Sequence, residues 1–503
     1  MTLTTRRMAN KGDKFFFSST MRNGRDTDIY YATIENPRDY KLLVDRGGYW
    51  GTVDWSPDDK KLLVVNYISI NESYYYIVDI ETKEMIQINP SDKKIAYGYA
   101  LCAKNGKGVY ITSDEDNEFM KLKYYSLKKK IFINLTKDIP WNIEDIDLSK
   151  SGRLLAFTAN EDGISKLYIR DNTTKQRLPV PELPIGQIYG LKFSPDGKKL
   201  AICLNTPQTP GDIYALNIET QELVRWTYSE VGGLDTDNFV VPELFHYPTF
   251  DEVDGKPRMI PSFIFKPKKA ERPFPVLISI HGGPEGQYQP NFSSMTQYYI
   301  NEMGIAFIAP NVRGSSGYGK SFLLMDNGYK REESVYDIGA LLDWIETQPD
   351  LDKDKIAVIG GSYGGYMVLS SMTHYNDRLR CAIDIVGISN FVTFLENTKE
   401  YRQDLRRPEY GDERDPEMRK FLMKISPTTN AHKISKPMLI VQGLNDPRVP
   451  ASEAEQILKA IRDNGTEAWY LLAKDEGHGF RKKSNRDFYY YSVVMFLERC
   501  LLK

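Results

Sequence analysis

The chain has 503 residues, room at roughly 100–200 residues per domain for two to four domains. Its 41% hydrophobic and 27% charged content reads as globular and argues against wholesale disorder. Lys plus Arg (66) nearly cancels Asp plus Glu (68), and the net charge of -2 gives no reason to expect nucleic acid or an acidic membrane as a partner.

The segment from Met1 to Lys14 carries charge but lacks the apolar core of a signal peptide, and no apolar stretch approaches the roughly 20 residues that cross a bilayer. Cys102, Cys203, Cys381 and Cys500 lie far apart with no CxxC spacing. The expectation is reduced thiols in a cytoplasmic protein, without a disulfide framework or a zinc site. The 33 Tyr and 22 Phe suggest many strands or an aromatic-lined cavity.

The first half repeats itself. Turn segments begin at positions 9, 56, 103, 149 and 194, spaced 47, 47, 46 and 45 residues apart, with Ser56-Pro57-Asp58-Asp59-Lys60-Lys61 and Ser194-Pro195-Asp196-Gly197-Lys198-Lys199 as the fullest copies. Each precedes an apolar run such as Leu62-Leu63-Val64-Val65. An aromatic-rich run such as Tyr74-Tyr75-Tyr76-Ile77-Val78 follows in most of the repeats. Short strands and Gly/Asp turns at that period predict an N-terminal β-propeller of about five four-stranded blade repeats over residues 1–237.

From residue 238 to 503 strands alternate with helices. Val276 to Ile280, Ile305 to Ala309, Lys355 to Ile359, Ala382 to Val386, Met438 to Val441 and Ala468 to Leu472 read as buried strands. Ile338, Leu341, Leu342 and Ile345 mark one face of a helix within 332–348, and 452–463 and 488–501 read as further helices. Such alternation predicts a mainly parallel sheet covered on both faces.

The strand at 355–359 runs into Gly360-Gly361-Ser362-Tyr363-Gly364. In a Gly-x-Ser-x-Gly turn a serine sits on strained backbone that needs small neighbours. A serine hydroxyl is a poor nucleophile at neutral pH and needs a base oriented by an acid. Of the five histidines, His478 in Glu476-Gly477-His478-Gly479-Phe480 follows a predicted strand and is flanked by glycines. Asp446, after the strand at 438–441, is the acid candidate, and Asp475 its rival. The order Ser362, Asp446, His478 is that of an α/β-hydrolase fold. Oxyanion donors are expected from the N–H of Tyr363 and, in His281-Gly282-Gly283-Pro284, from that of Gly283, with His281 bracing the loop.

Together with Asn311-Val-Arg-Gly-Ser-Ser-Gly-Tyr-Gly319 and Gly443-Leu-Asn-Asp-Pro-Arg-Val-Pro450, these motifs resemble the prolyl oligopeptidase family of serine peptidases, most nearly its acylaminoacyl-peptidase-like branch. The resemblance implies that Ser362, Asp446 and His478 are the triad and that Arg448 holds a substrate carbonyl. It also implies that Ile388, Phe391 and Phe394, completed by Tyr363, Tyr366 and Val449, line an apolar specificity pocket. Arg313 is expected to brace the site. Family members usually carry seven or eight blades, so five repeats imply a truncated propeller or blades outside this chain. No Glu-Glu pair stands in a setting suited to a free substrate N-terminus, which argues against strict dipeptidyl activity.

The expected activity is hydrolysis of short peptides through an acyl-enzyme, with no metal or organic cofactor, the propeller restricting entry. No nucleic acid or membrane partner is expected, and homo-oligomer formation is left open. The alternatives are a carboxylesterase using the same triad on small acyl esters, and a non-catalytic propeller scaffold.

Overall fold

The computed structural model describes residues 3–503, with side chains from Met8 onward. Two compact units account for the chain. The first runs to Glu230 and includes Gly317–Lys320; the second takes Val231–Ser316 and Ser321–Lys503.

Among the described residues, the first unit contains five four-stranded antiparallel sheets, spanning 3–44, 49–87, 97–134, 142–178 and 187–225. Each is a meander in chain order, and the repeated turn joins its first two strands. All five turns close identically. The N–H of Ala9, Ser56, Ala103, Ser149 and Ser194 donates to the carbonyl five residues on, at 2.8 to 2.9 Å. The fourth residue of each turn has positive φ, which Gly12, Gly106, Gly152 and Gly197 adopt without penalty. Asp59 takes that place in the second turn at φ 57, and its carboxylate accepts from the backbone N–H groups of Asn10 and Lys11 and the side chain of Asn10 in the first turn.

Apolar clusters lie between consecutive sheets. Phe16, Trp50, Trp55 and Leu62 join the first to the second, and Leu63, Tyr75, Val109 and Ile111 the second to the third. Leu122, Ile143, Leu155 and Phe157 join the third to the fourth, and Ile169, Leu200 and Ile202 the fourth to the fifth. Carboxylates add a second link. Asp54, on the first strand of the second sheet, accepts the Cys102 N–H of the third at 2.8 Å; Asp147, on the first strand of the fourth sheet, accepts the Phe193 N–H of the fifth, also at 2.8 Å.

The second unit is built on an eight-stranded sheet: β1 (Glu243–Val253), β2 (Lys256–Phe265), β3 (Phe274–Ile280), β4 (Ala306–Pro310), β5 (Leu351–Gly361), β6 (Cys381–Ile385), β7 (Met438–Gly443) and β8 (Ala468–Ala473). The spatial order is β1-β2-β4-β3-β5-β6-β7-β8. β1, β2 and β4 pair antiparallel, and β4 through β8 run parallel. Val276, Ile278, Val358, Ile383 and Ile440 are fully buried, as strands covered on both faces require.

Among the described residues, eight helices of 7 to 15 residues serve the sheet: α1 (Ser294–Asn301), α2 (Glu333–Glu346), α3 (Tyr363–Tyr375), α4 (Phe391–Asn397), α5 (Glu400–Tyr410), α6 (Pro416–Ile425), α7 (Ala451–Asp463) and α8 (Lys483–Leu497). The periodicity read for α2 holds, with Ile338, Leu341, Leu342 and Ile345 all buried. Helices α4 to α6, between β6 and β7, were not foreseen, although Met418, Phe421, Leu422 and Ile425 give α6 an apolar face at i, i+3, i+4 and i+7. Among the described residues, no helix is long and apolar enough to cross a membrane.

Candidate active site

Ser362 occupies the turn between β5 and α3 at φ 60, ψ -120, outside the regions an L-residue ordinarily adopts. Such a conformation costs about 1–3 kcal/mol and survives only where the surroundings over-determine it. Here they do. The Ser362 N–H donates to the Ile385 carbonyl at 2.8 Å, and its carbonyl accepts from Gly365 and Tyr366. A Cβ at Gly360 would stand 2.5 Å from the Gly364 carbonyl oxygen, and one at Gly364 only 2.2 Å from that of Ile280. The small residues of the motif are therefore steric necessities.

Tyr363 opens α3, where a backbone N–H has no intrahelical partner and is available to an anion. The loop after β3 approaches the same point. A Cβ on Gly282 would lie 3.4 Å from Ser362 Cβ and 3.7 Å from the Tyr363 nitrogen. Gly283 follows at φ 133, where a Cβ would collide with the nitrogens of Glu285 and Gly286. His281 braces this loop rather than serving as base: its Nδ1 donates to the Gly282 carbonyl at 3.0 Å and its Nε2 is bonded to Ser315 Oγ at 2.8 Å. Burial pushes its imidazole pKa down.

Asp446 and His478 meet at the ends of β7 and β8. His478 Nδ1 donates to Asp446 Oδ2 at 2.6 Å, so Nε2 is the ring nitrogen left to face a substrate or nucleophile. Asp446 Oδ1 accepts the N–H groups of Arg448 at 2.8 Å and Val449 at 3.1 Å, so the carboxylate is fixed in direction. The two loops touch through backbone. The Asn445 N–H donates to the Glu476 carbonyl, and a Cβ at Gly443 would lie 2.1 Å from the Gly477 oxygen. Asp475, the rival acid, pairs instead with Lys482 and Asn485 at the surface.

Arg448 is exposed, and its guanidinium makes no hydrogen bond or ion pair among the described residues. Ile388, Phe391, Phe394, Tyr366 and Val449 are all buried. The Phe391 ring lies 4.5 Å from Tyr366, whose ring is 5.3 Å from Tyr363. Helix α4 is held from two sides: Asn390 caps its first N–H groups, and the Glu453 carboxylate of α7 accepts those of Ser389 and Asn390 at 3.1 and 2.8 Å. Arg313 is buried against Asp337, Asp251 and Glu333, with its guanidinium over the Phe250 ring.

Sequence reasoning missed the groups supplied by α5. Tyr410 reaches the Gly283 carbonyl, stacks on Tyr363 and packs against Phe391 and Phe394. Arg406 bonds Glu285 at 2.7 Å and Glu409 at 3.3 Å. Burial, reinforced by Glu285, pushes the Glu409 carboxyl up to about 8. Arg406 and Glu409 stand at i, i+3 in a charge-dense stretch, a pattern that ordinarily marks a solvated helix face, so the sequence offered no sign of their burial.

Residues 290–503 match the prolyl oligopeptidase family. A dipeptidyl aminopeptidase BIII of Pseudoxanthomonas mexicana is 37% identical over 238 residues, 46% of this chain and 34% of its own length. An acylamino-acid-releasing enzyme of Arabidopsis thaliana is 23% identical over 496 residues, 92% of this chain and 57% of its own. The chain thus aligns with about a third of the dipeptidyl aminopeptidase and just over half of the plant enzyme. A puromycin-hydrolyzing peptidase of Mycobacterium tuberculosis superposes with a TM-score of 0.86 at 19% identity, covering 99% of this chain and 79% of that one, a likeness of fold. The match to the prolyl oligopeptidase family thus covers the C-terminal part of this chain, residues 290–503.

Proposed function

We propose that the chain is a serine peptidase that cleaves short peptides at an apolar residue through an acyl-enzyme on Ser362. The observations that carry this reading are the strained turn that presents Ser362 and a His478 whose Nδ1 is fixed by Asp446. His478 Nε2 takes the Ser362 proton as the hydroxyl adds to the peptide carbonyl. The N–H groups of Tyr363 and Gly283 receive the oxyanion, His478 protonates the leaving amine, and water then releases the acid by the same steps. Arg448 holds a second substrate carbonyl, and Ile388, Phe391, Phe394, Tyr366 and Val449 wall the pocket for the apolar side chain. The five sheets of the first unit are read as blades of a short β-propeller.

Ser362→Ala should abolish both turnover of peptide anilides and labelling by a fluorophosphonate probe; labelling retained at the wild-type level would refute the assignment. The names of similar chains divide between dipeptidyl and acylamino-acid release. Acylaminoacyl-peptidase or oligopeptidase action is the form proposed here. Faster cleavage of N-acetylated than of free-amine peptides would support it, and turnover restricted to aryl esters would make the chain a carboxylesterase.

A further inference from the structure

Gly283 is pinned from both sides by residues outside the triad. The peptide plane before it carries the N–H proposed to face the oxyanion. Because that plane is rigid and its C=O and N–H point in opposite directions, the His281 bond to the Gly282 carbonyl fixes where the Gly283 N–H aims. The plane after it is held by α5. Tyr410 Oη donates to the Gly283 carbonyl at 2.9 Å, and Arg406, one turn earlier, reaches the same oxygen at 3.5 Å while bonding Glu285 on the same loop at 2.7 Å. Glycine has the widest choice of backbone conformations, so a residue at φ 133 keeps its orientation only through such outside holds.

The same tyrosine reaches the pocket. Its ring is buried and lies nearly parallel to Tyr363, with centroids 5.9 Å apart and planes inclined by 14°. It lies 5.6 Å from Phe391 and 5.8 Å from Phe394. One side chain thus touches the residue after the nucleophile, the oxyanion loop and two walls of the pocket.

We infer that Tyr410 is a positioning residue whose hydroxyl keeps the Gly283 N–H aimed at the developing oxyanion, and whose ring links that loop to the side chain seated between Phe391 and Phe394. This rests on the reading of Gly283 and Tyr363 as oxyanion donors. Arg406 and Glu285 form a second tether of the same loop, with Glu409, Arg331 and Asp326 as the other charged groups packed around it.

The test is Tyr410→Phe, which keeps the ring and removes the hydroxyl. Removing an oxyanion donor outright costs roughly 100- to 1,000-fold in kcat, and loosening one should cost less, about tenfold. Expected is a kcat on an N-acetylated apolar anilide about tenfold lower, KM within about twofold of wild type, and an unchanged melting temperature. A peptide aldehyde, to whose carbonyl Ser362 adds to give a hemiacetal with its oxygen in the hole, should bind about tenfold more weakly, while the product acid binds as before. Glu285→Gln, which weakens the second tether without touching Tyr410, should lower kcat about threefold and covers the case in which Tyr410→Phe fails to fold. Wild-type kcat and aldehyde affinity in either folded variant overturn the inference, as does a loss confined to KM. Failure of the underlying site reading looks different: the wild-type chain itself is then inert and Ser362 takes no fluorophosphonate label, and both proposals fall.

Discussion

Gly361 and Gly364 flank the same serine but are not equivalent. A Cβ at Gly361 would meet nothing nearer than 3.7 Å, whereas one at Gly364 would stand 2.2 Å from the Ile280 carbonyl oxygen. Gly361→Ala should therefore be nearly neutral in thermal unfolding, and Gly364→Ala should cost about 3 kcal/mol or prevent folding. Asp384 supplies a second test at this scale. It is fully buried at the end of β6, where its Oδ1 would lie 2.3 Å from a Cβ on Gly365, and its carboxyl oxygens have no hydrogen-bond partner among the described residues. Burial, with Glu453 as a lesser cause, raises its pKa to about 7. A carboxyl raised in the fold contributes stability that is present below its ordinary value and lost as the pH climbs through the folded one. Between about pH 4 and pH 8 the wild type should lose stability on this account, and Asp384→Asn should not. Melting temperatures of the two chains should diverge in favour of the variant at pH 8 and converge at pH 4.

Among the elements, the repeated turn was the most legible from sequence, because its chemistry is local. Four of the five copies place glycine where φ is positive, and a serine side chain closes the loop by accepting the N–H at its far end, as Ser56, Ser149 and Ser194 do for Lys61, Leu154 and Lys199. Asp59 departs from the glycine rule because its carboxylate is bonded to the neighbouring turn. Asp59→Gly relieves the backbone but loses those bonds, so a net destabilisation of about 1 kcal/mol is expected. Gly152→Asp, at the matching place, has only Lys104 near it and should lose about as much to strain with no bonds gained. Chemical denaturation of both variants checks the comparison. The Asp446–His478 pair and the strained turn at Ser362 were legible for the same local reason, glycines and strand ends. Helix α5 was not: Tyr410 gains its meaning from contacts with Gly283, Tyr363 and Phe391, which lie far from it in sequence.

For the whole molecule, the sequence marked where a repetitive β half gives way to an alternating one, because strand and helix periods differ in any window of a dozen residues. It left open how the repeats bind one another, which depends on pairs such as Asp54 with Cys102. All four cysteines are free, with Cys102, Cys381 and Cys500 buried and Cys203 half-buried. A thiol reagent should accordingly modify Cys203 first in the native chain and reach four thiols only on unfolding, the burst of three marking loss of the core. Fast reaction of all four without denaturant would contradict this packing.

The carboxylates of Asp54 and Asp147 have an effect beyond joining sheets. Each accepts from the first strand of the next sheet, a strand paired on only one side, whose outward N–H groups would otherwise form an open row. Open rows of that kind recruit strands from other chains. A side chain that occupies the donor also denies it to a stranger. Asp147→Ala should therefore show its effect less in the melting temperature than in solubility, as the Phe193 edge becomes a template for aggregation on gentle warming.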